Sequence, residues 1–278
     1  MLRKAVFAAL VLLTILVLFT GCDFISQLLA SSEANIVSFS MDGIVGTASI
    51  DPVNHTVVVT AEPMDVSTVT PTVTVSESAT LQTATLVDGQ AATFRVTAED
   101  GTVVTWLVTV NVQYGASFTY ASDPTHVVLT AGIIDSVDSS NNTAMGNGVP
   151  LGLLSSGGSG DAGYAYAMRE NYDWGTAESD PAEYVMLMFA DAASGSYNGT
   201  ESYFGYYRYV DGGSGDVALY SDSTDANGFQ LAVSLFGAVG GDIVGTFSGT
   251  AYDATETAHA ITNGFFKVRR IADDAIGG

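Results

Sequence analysis

From Asn35 to Val112 the chain runs in short stretches where threonine and valine or an aromatic take turns. They are Thr56-Val57-Val58-Val59-Thr60, Thr72-Val73-Thr74-Val75, Thr93-Phe94-Arg95-Val96-Thr97 and Thr105-Trp106-Leu107-Val108-Thr109-Val110. A period of two sends alternate side chains to opposite faces of an extended strand, and β-branched residues suit that pleated, half-buried surface. Pro52, Pro63 and Pro71 fall between the runs, where a missing N–H takes nothing from a ladder. Asp100-Gly101 stands between the last two runs and reads as a tight hairpin. The spacing predicts six or seven short strands over residues 35–113, folded as a small β-sandwich.

Beyond Tyr114 glycine, tyrosine and aspartate become denser and loops lengthen, notably over 135–161 and 171–183. Strands are expected at 125–131, 164–168, 184–189, 204–210, 229–236, 242–248 and 265–271. In 229–235 the apolar set Phe229, Leu231, Val233, Leu235 alternates with Gln230, Ala232 and Ser234. The Gly-rich stretch 237–241 reads as a turn, and Asn263-Gly264 as a second tight hairpin with positive φ at both residues. Residues 114–278 are thus expected to form a larger antiparallel β-sandwich or flattened barrel, making the whole chain all-β.

The N-terminus has its own logic. Arg3 and Lys4 precede an apolar run from Ala5 to Phe19, followed by Thr20-Gly21 and Cys22, the chain's single cysteine. A basic start, a run too short to span comfortably and small residues before a cut describe a secretory signal. The segment resembles the lipobox of bacterial lipoproteins, with Phe19 where that family usually carries an aliphatic residue. The resemblance implies cleavage after residue 21, acylation of Cys22 and a short tether over 22–34. A plain signal peptide that leaves a free thiol is the alternative. With Cys22 given to lipid, no internal disulfide can form.

Two further resemblances follow from the strands. Ser38-Phe39, Pro71-Thr72-Val73-Thr74-Val75-Ser76, the stretch from Phe94 to Thr102 and Trp106-x-Val108-x-Val110 resemble a family of bacterial immunoglobulin-like, cadherin-like β-sandwich domains found in exported lipoproteins. That implies a spacer or pedestal and no catalytic residues. The stretches from Gly245 to Thr250 and Ile261 to Phe266 resemble the C-terminal end of β domains in other lipoproteins of unknown function.

Charge excludes one class of partner. The chain carries 30 Asp and Glu against 8 Lys and Arg, a net charge of −22. Loss of the signal would remove two of the eight and none of the acids. Such a surface repels nucleic acid and anionic headgroups.

Little in the sequence points to catalysis. His55, His126 and His259 lie in separate segments without metal-ligand spacing, and no Gly-x-Ser-x-Gly elbow appears; all three are expected at strand edges or on the surface. Residues 222–228 partly echo a calcium loop, but Ser223 and Ser234 stand where its first ligand and its bidentate glutamate belong. Gly-Gly-Ser-Gly-Asp occurs at 157–161 and 212–216 without the tandem copies that calcium-binding nonapeptides need. Polar hairpin loops account for these segments, with calcium as the alternative. Lys267 and Arg269 are expected to point outward together and meet carboxylates on the next strand.

Aromatic residues offer the binding surface. Tyr203-Phe204-x-Tyr206-Tyr207-x-Tyr209 places five rings in seven residues. As a strand it splits into Tyr203, Gly205, Tyr207 and Tyr209 on one face and Phe204, Tyr206 and Arg208 on the other. One face must be core. The other face, or Tyr172 and Trp174 in the loop Asn171-Tyr172-Asp173-Trp174-Gly175, is placed to stack on sugar rings, the alternative for Trp174 being an interior anchor for its loop. The sequence therefore suggests a lipid-anchored, non-enzymatic cell-envelope protein on the extracytoplasmic side, the outer membrane or cell surface preferred over the inner membrane. It would present a β domain to an extracellular glycan or protein or serve an envelope structural role. The alternative is a secreted polysaccharide hydrolase with a carboxylate pair in the C-terminal loops.

Overall fold

The computed structural model describes residues 30–120, 123–130, 151–155, 162–168, 183–190, 193–208, 217–222, 224–238 and 240–270. Cys22, Tyr172, Trp174, Tyr209, Ser223 and both Gly-Gly-Ser-Gly-Asp copies lie outside the described residues. The protein is all-β: apart from one 3-10 turn at Val66–Thr68, every regular element among the described residues is a strand. The chain divides into two compact units. One holds the residues up to Met41, Ala48–Val58 and Thr70–Thr109; the other holds Asp42–Thr47, Val59–Val69 and everything from Val110 onward.

Seven strands come first: β1 (Ile36–Ser40), β2 (Ser49–Asp51), β3 (Thr56–Ala61), β4 (Thr72–Val75), β5 (Thr80–Gln82), β6 (Ala91–Thr97) and β7 (Val103–Val112). They form a β1–β4 pair and a five-stranded sheet in the order β2-β3-β7-β6-β5. Alternation decides which side chains turn inward. In β6, Ala92, Phe94 and Val96 are buried while Ala91, Thr93 and Arg95 face out. The first unit buries Val57, Phe94, Trp106 and Val108 completely. Phe39 from β1 packs on Phe94 with ring centroids 6.4 Å apart. The Trp106 indole N–H donates to the Ala34 carbonyl at 3.0 Å, so its polar edge is satisfied inside the core. Between β6 and β7 the Asp-Gly turn forms as expected. Gly101 takes φ +86°, Ala98 N–H reaches Thr102 O at 2.8 Å, and Asp100 Oδ1 accepts from Thr102 N–H.

Eleven strands follow: β8 (Gly115–Tyr120), β9 (Asp123–Thr130), β10 (Leu151–Ser155), β11 (Ala162–Met168), β12 (Glu183–Phe189), β13 (Gly195–Asn198), β14 (Ser202–Arg208), β15 (Val217–Tyr220), β16 (Phe229–Phe236), β17 (Asp242–Tyr252) and β18 (Ala258–Arg270). They make one sheet in the order β13-β16-β17-β15-β14-β12-β11-β10-β18-β8-β9. Since β17 also pairs with β18, the sheet curls back and its inner faces meet across one core. Phe118 of β8 sits 5.5 Å from the Phe204 ring, 5.1 Å from Tyr206 and 6.0 Å from Phe247. Each such aromatic pair adds roughly 0.5–1.5 kcal/mol beyond the area it buries.

The structure departs from expectation in particular places. β10 lies inside the expected loop 135–161, and it pairs in parallel with β18, so the sheet is not wholly antiparallel. β8, β13 and β15 are short strands without a marked two-residue period, and the pattern alone does not announce them. Asn263-Gly264 is not a hairpin but the middle of the 13-residue β18. Only Asn263 takes the left-handed conformation, at φ +54°, and the pairing of β18 slips beside it on both sides. A single left-handed residue makes a bulge here, where the type I′ turn expected at Asn-Gly needs two. The chain reverses earlier, over 253–257. There Asp253 Oδ1 accepts from Thr255 N–H, the Thr255 hydroxyl and Thr257 N–H at 2.7–3.0 Å.

Lys267 also departs from expectation. It is buried, donates to the Val112 carbonyl at 3.0 Å and lies 4.9 Å from the Tyr114 ring centre. The stretch leading into β8 lies over it, with Val112 supplying the acceptor and Tyr114 the ring, so this side chain does not face solvent. Arg269 reaches a carboxylate on the next strand through an intermediary. Its guanidinium donates to Tyr114 Oη at 2.6 Å, and that hydroxyl donates to Asp242 Oδ1 at 2.8 Å.

Candidate functional site: a tyrosine face

β14 divides as the alternation of its sequence requires. Phe204 and Tyr206 are fully buried in the core of the second unit, whereas Tyr203 and Tyr207 are partly exposed on the opposite face. Between them lies Gly205. A methyl group there would stand 3.0 Å from Tyr207 Cε2 and 3.1 Å from Tyr203 Cε1, so both rings lean across the glycine. Their hydroxyls meet 3.2 Å apart. Burial, and next the bond to Tyr207, pushes the Tyr203 phenol well above its ordinary range, so it stays neutral and hydrogen-bonded.

The register extends this face sideways. Gly205 pairs with Met186 of β12 on one side and with Tyr220 of β15 on the other, and Tyr220 pairs with Tyr252 of β17. Residues paired across a sheet share a face. Val185, Leu187, Leu219 and Ala251, their neighbours in sequence, all belong to the core. Met186, Met188, Tyr220 and Tyr252 are therefore turned outward, and all four are partly exposed. The Tyr220 hydroxyl donates to the Asp253 carbonyl at 3.2 Å. Rings and thioethers on a sheet face, with the hydroxyls of Tyr203, Tyr207 and Tyr220 engaged, make a surface suited to stacking on flat, amphipathic ligands.

The inward side of β14 is built to hold that surface still. The Tyr206 hydroxyl donates to Glu183 Oε1 at 2.6 Å, both groups being buried. Burial, and next the hydrogen bond to Glu183, raises the Tyr206 phenol far above its usual value. Tyr120 packs on Tyr206 and on His259, with centroids 6.1 and 6.3 Å apart.

The other sequence candidates are placed as follows. His259 is buried, not superficial, and its Nε2 lies 3.0 Å from Asp253 Oδ2. His55, at φ +52°, packs edge-on against Trp106 at 5.3 Å. His126 is exposed on β9, 3.6 Å from Glu62. His126 and His259, both in the second unit, face different carboxylates. In the calcium-like stretch, Asp222 Oδ1 accepts from Thr224 N–H and its hydroxyl, and Asp225 Oδ1 from Asn227 N–H. These carboxylates cap their own turns. Among the described residues no three His, Cys, Asp or Glu side chains are gathered to hold a metal.

The second unit also contains a cleft of about 710 Å³, walled by Glu62, Asp65, His126, Gln230, Ser248 and Asn263. Its acids come from residues before 114, not from the C-terminal loops to which the hydrolase alternative assigns its carboxylates. Asp65 Oδ1 is already engaged by Ser67, accepting from its N–H and its hydroxyl.

Sequence reasoning found the ring-rich β14 and its two faces. It missed Met186, Met188, Tyr220 and Tyr252, whose one local signal is that each alternates with a core residue. A family model described as "SGBP, N-terminal" matches residues 36–110, the stretch from β1 to most of β7. No curated protein and no solved structure matches the chain.

Proposed function

We propose that this chain is a lipid-anchored envelope protein of a bacterial cell, non-enzymatic, whose second unit binds an extracellular glycan on the face built around Tyr203 and Tyr207. The observation that carries this reading is the pair of partly exposed tyrosines leaning over Gly205, with Met186 and Tyr220 flanking it in register. A sugar ring presents an apolar face of C–H groups and a polar rim, and an outward aromatic face complements the first without desolvating the second.

The family match supports the same direction. SGBP names surface glycan-binding proteins, a non-catalytic class of the bacterial surface, and the matched N-terminal stretch is read as an immunoglobulin-like pedestal over 35–113 that carries the binding domain of 114–278. Cys22, after the signal segment of residues 1–21, would bear the acyl chains, since stable anchoring takes two lipid signals where one gives only reversible binding. Tyr172 and Trp174 are proposed as further stacking residues.

The test is binding to a polysaccharide array by the wild type, by a Tyr203→Ala/Tyr207→Ala double variant and by Trp174→Ala. Loss of binding in the double variant, with an unchanged melting temperature, is the expected result. Binding that survives it unchanged would take the site off this face. Palmitate labelling abolished by Cys22→Ser would establish the anchor.

A further inference from the structure

The tyrosine face is more selective than a generic sugar platform, because of what it lacks. The chain has 38 charged residues, 30 of them acidic, and carries a net charge of −22. Yet the large side chains that make up this face on β12, β14, β15 and the end of β17 are all uncharged, and the acid at its border is Asp222, which follows β15 beside Tyr203. Met186 and Met188, Tyr203 and Tyr207, and Tyr220 and Tyr252 are its side chains. An anionic polysaccharide would approach a strongly negative protein and find no lysine or arginine on this surface to meet it. A cationic one would be drawn to acids elsewhere on a chain of net charge −22 rather than to these uncharged side chains.

Shape narrows the ligand further. Met186, Gly205, Tyr220 and Tyr252 are successive register partners, so they form a row running across four strands. With neighbouring strands about 4.8 Å apart, the row is roughly 14 Å long, room for an oligosaccharide segment and not only a terminal sugar. Tyr203 and Tyr207 lie two residues to either side of the row and lean over its glycine, filling the dip between Met186 and Tyr220. The platform is therefore bridged, not grooved. The Tyr203 and Tyr207 hydroxyls are paired with each other and that of Tyr220 is held by a backbone carbonyl. Recognition then falls to ring faces and thioethers, which favour a ligand whose C–H surface is broad and unbroken.

Building on the proposed function, we infer that the ligand is a neutral polysaccharide of equatorially linked pyranose rings, an extended ribbon lying across the strands along the row from Met186 to Tyr252. Axial hydroxyls would interrupt its contact with the rings, and carboxylate or sulfate groups would be left unpaired on the face.

The experiment is native affinity electrophoresis of the full chain in gels holding one of three polymers. Hydroxyethylcellulose and carboxymethylcellulose share a backbone and differ in charge; polygalacturonate is anionic with axial linkages. Retardation at least tenfold stronger in hydroxyethylcellulose than in either anionic polymer, abolished by Tyr203→Ala/Tyr207→Ala, is the expected result. Equal or stronger retardation in an anionic gel would overturn the inference and leave the glycan-binding reading standing. No retardation in any of the three, together with no binding on the polysaccharide array, would overturn both. Met186→Lys adds a charge to the face without touching the tyrosines. It should narrow the preference for hydroxyethylcellulose over carboxymethylcellulose by several-fold, and an unchanged ratio would place the ligand elsewhere.

Discussion

The hydroxyls of Tyr203 and Tyr207, four residues apart on one strand, meet 3.2 Å from each other above Gly205. Two outward side chains at that separation stand on the same face about 13 Å apart at their roots. They meet only because the residue between them has no side chain to hold them upright. The glycine is thus a requirement of the tyrosine pair, and the pair covers a position that would otherwise be a hole in the sheet surface.

Gly205→Ala tests that dependence. The new methyl group would stand 3.0–3.1 Å from both rings, tight enough to push them apart by a few tenths of an ångström. Stability should change little. Alanine is favoured over glycine in a strand by roughly 0.5–1 kcal/mol, and the lost hydroxyl pair costs about the same. Polysaccharide affinity should fall by more than stability does. Calorimetry and affinity electrophoresis on the same preparation check this; affinity equal to wild type would detach the pair from binding.

The legibility of this fold has a physical boundary. Alternation within β6 and β7 was enough to place Phe94, Val96, Trp106 and Val108 inside, because each strand's own period fixes its two faces. The same logic sorted Phe204 and Tyr206 from Tyr203 and Tyr207. What no local pattern contains is which strands become neighbours. Tyr220 joins the face because β15 pairs with β14, and Tyr252 because the far end of β17 pairs with β15 in a single register step. Asn263 shows the converse. Its sequence correctly announced a left-handed residue, but whether that residue turns a chain or bulges a strand depends on whether partners flank it on both sides, as β17 and β8 do.

Substitutions at Asn263 should reflect that bulge. A residue with a Cβ pays roughly 1–2 kcal/mol in the left-handed region, less for asparagine and nothing for glycine. Asn263→Ala should therefore destabilise by about 1 kcal/mol, while Asn263→Gly should lie within about 0.5 kcal/mol of wild type. Urea unfolding at constant m-value decides it, and equal losses in both variants would show that the asparagine side chain, not its backbone, is what matters.

Tyr206→Phe removes the phenol that donates to buried Glu183 at 2.6 Å. Removing one partner of a buried hydrogen bond costs roughly 1–3 kcal/mol, and the variant should lose about that much stability at neutral pH. Alkaline behaviour follows from the raised phenol. Its folded pKa lies above the ordinary 10.0, so its contribution is complete below pH 10 and is lost as pH rises, when the unfolded chain releases a proton the native state retains. In the wild type stability should therefore fall above pH 10, and in Tyr206→Phe that fall should be shallower by up to about 1.4 kcal/mol per pH unit. Identical slopes would mean that this phenol ionises in the folded protein.

Acid should act on the β17–β18 hairpin through Asp253. The bond from His259 first, then those from Thr255 and Thr257, hold its carboxyl far below the ordinary value of 3.8. A depressed folded value means that the native state stays ionised after the unfolded chain has taken up a proton. The contribution is whole above pH 4 and drains away as pH falls below it. Asp253→Asn keeps an acceptor oxygen for the turn yet cannot titrate. It should start less stable at neutral pH, because the charge that His259 and the turn N–H groups point at is gone, and then lose less on acidification. Hydrogen exchange at Thr255 and Thr257 localises the effect: both amides should exchange faster in wild type at pH 3 than intrinsic rates explain, and show no such acid step in Asp253→Asn. Were the wild-type amides to keep full protection at pH 3, the hairpin would be held by its ladder to β17 and not by the carboxylate.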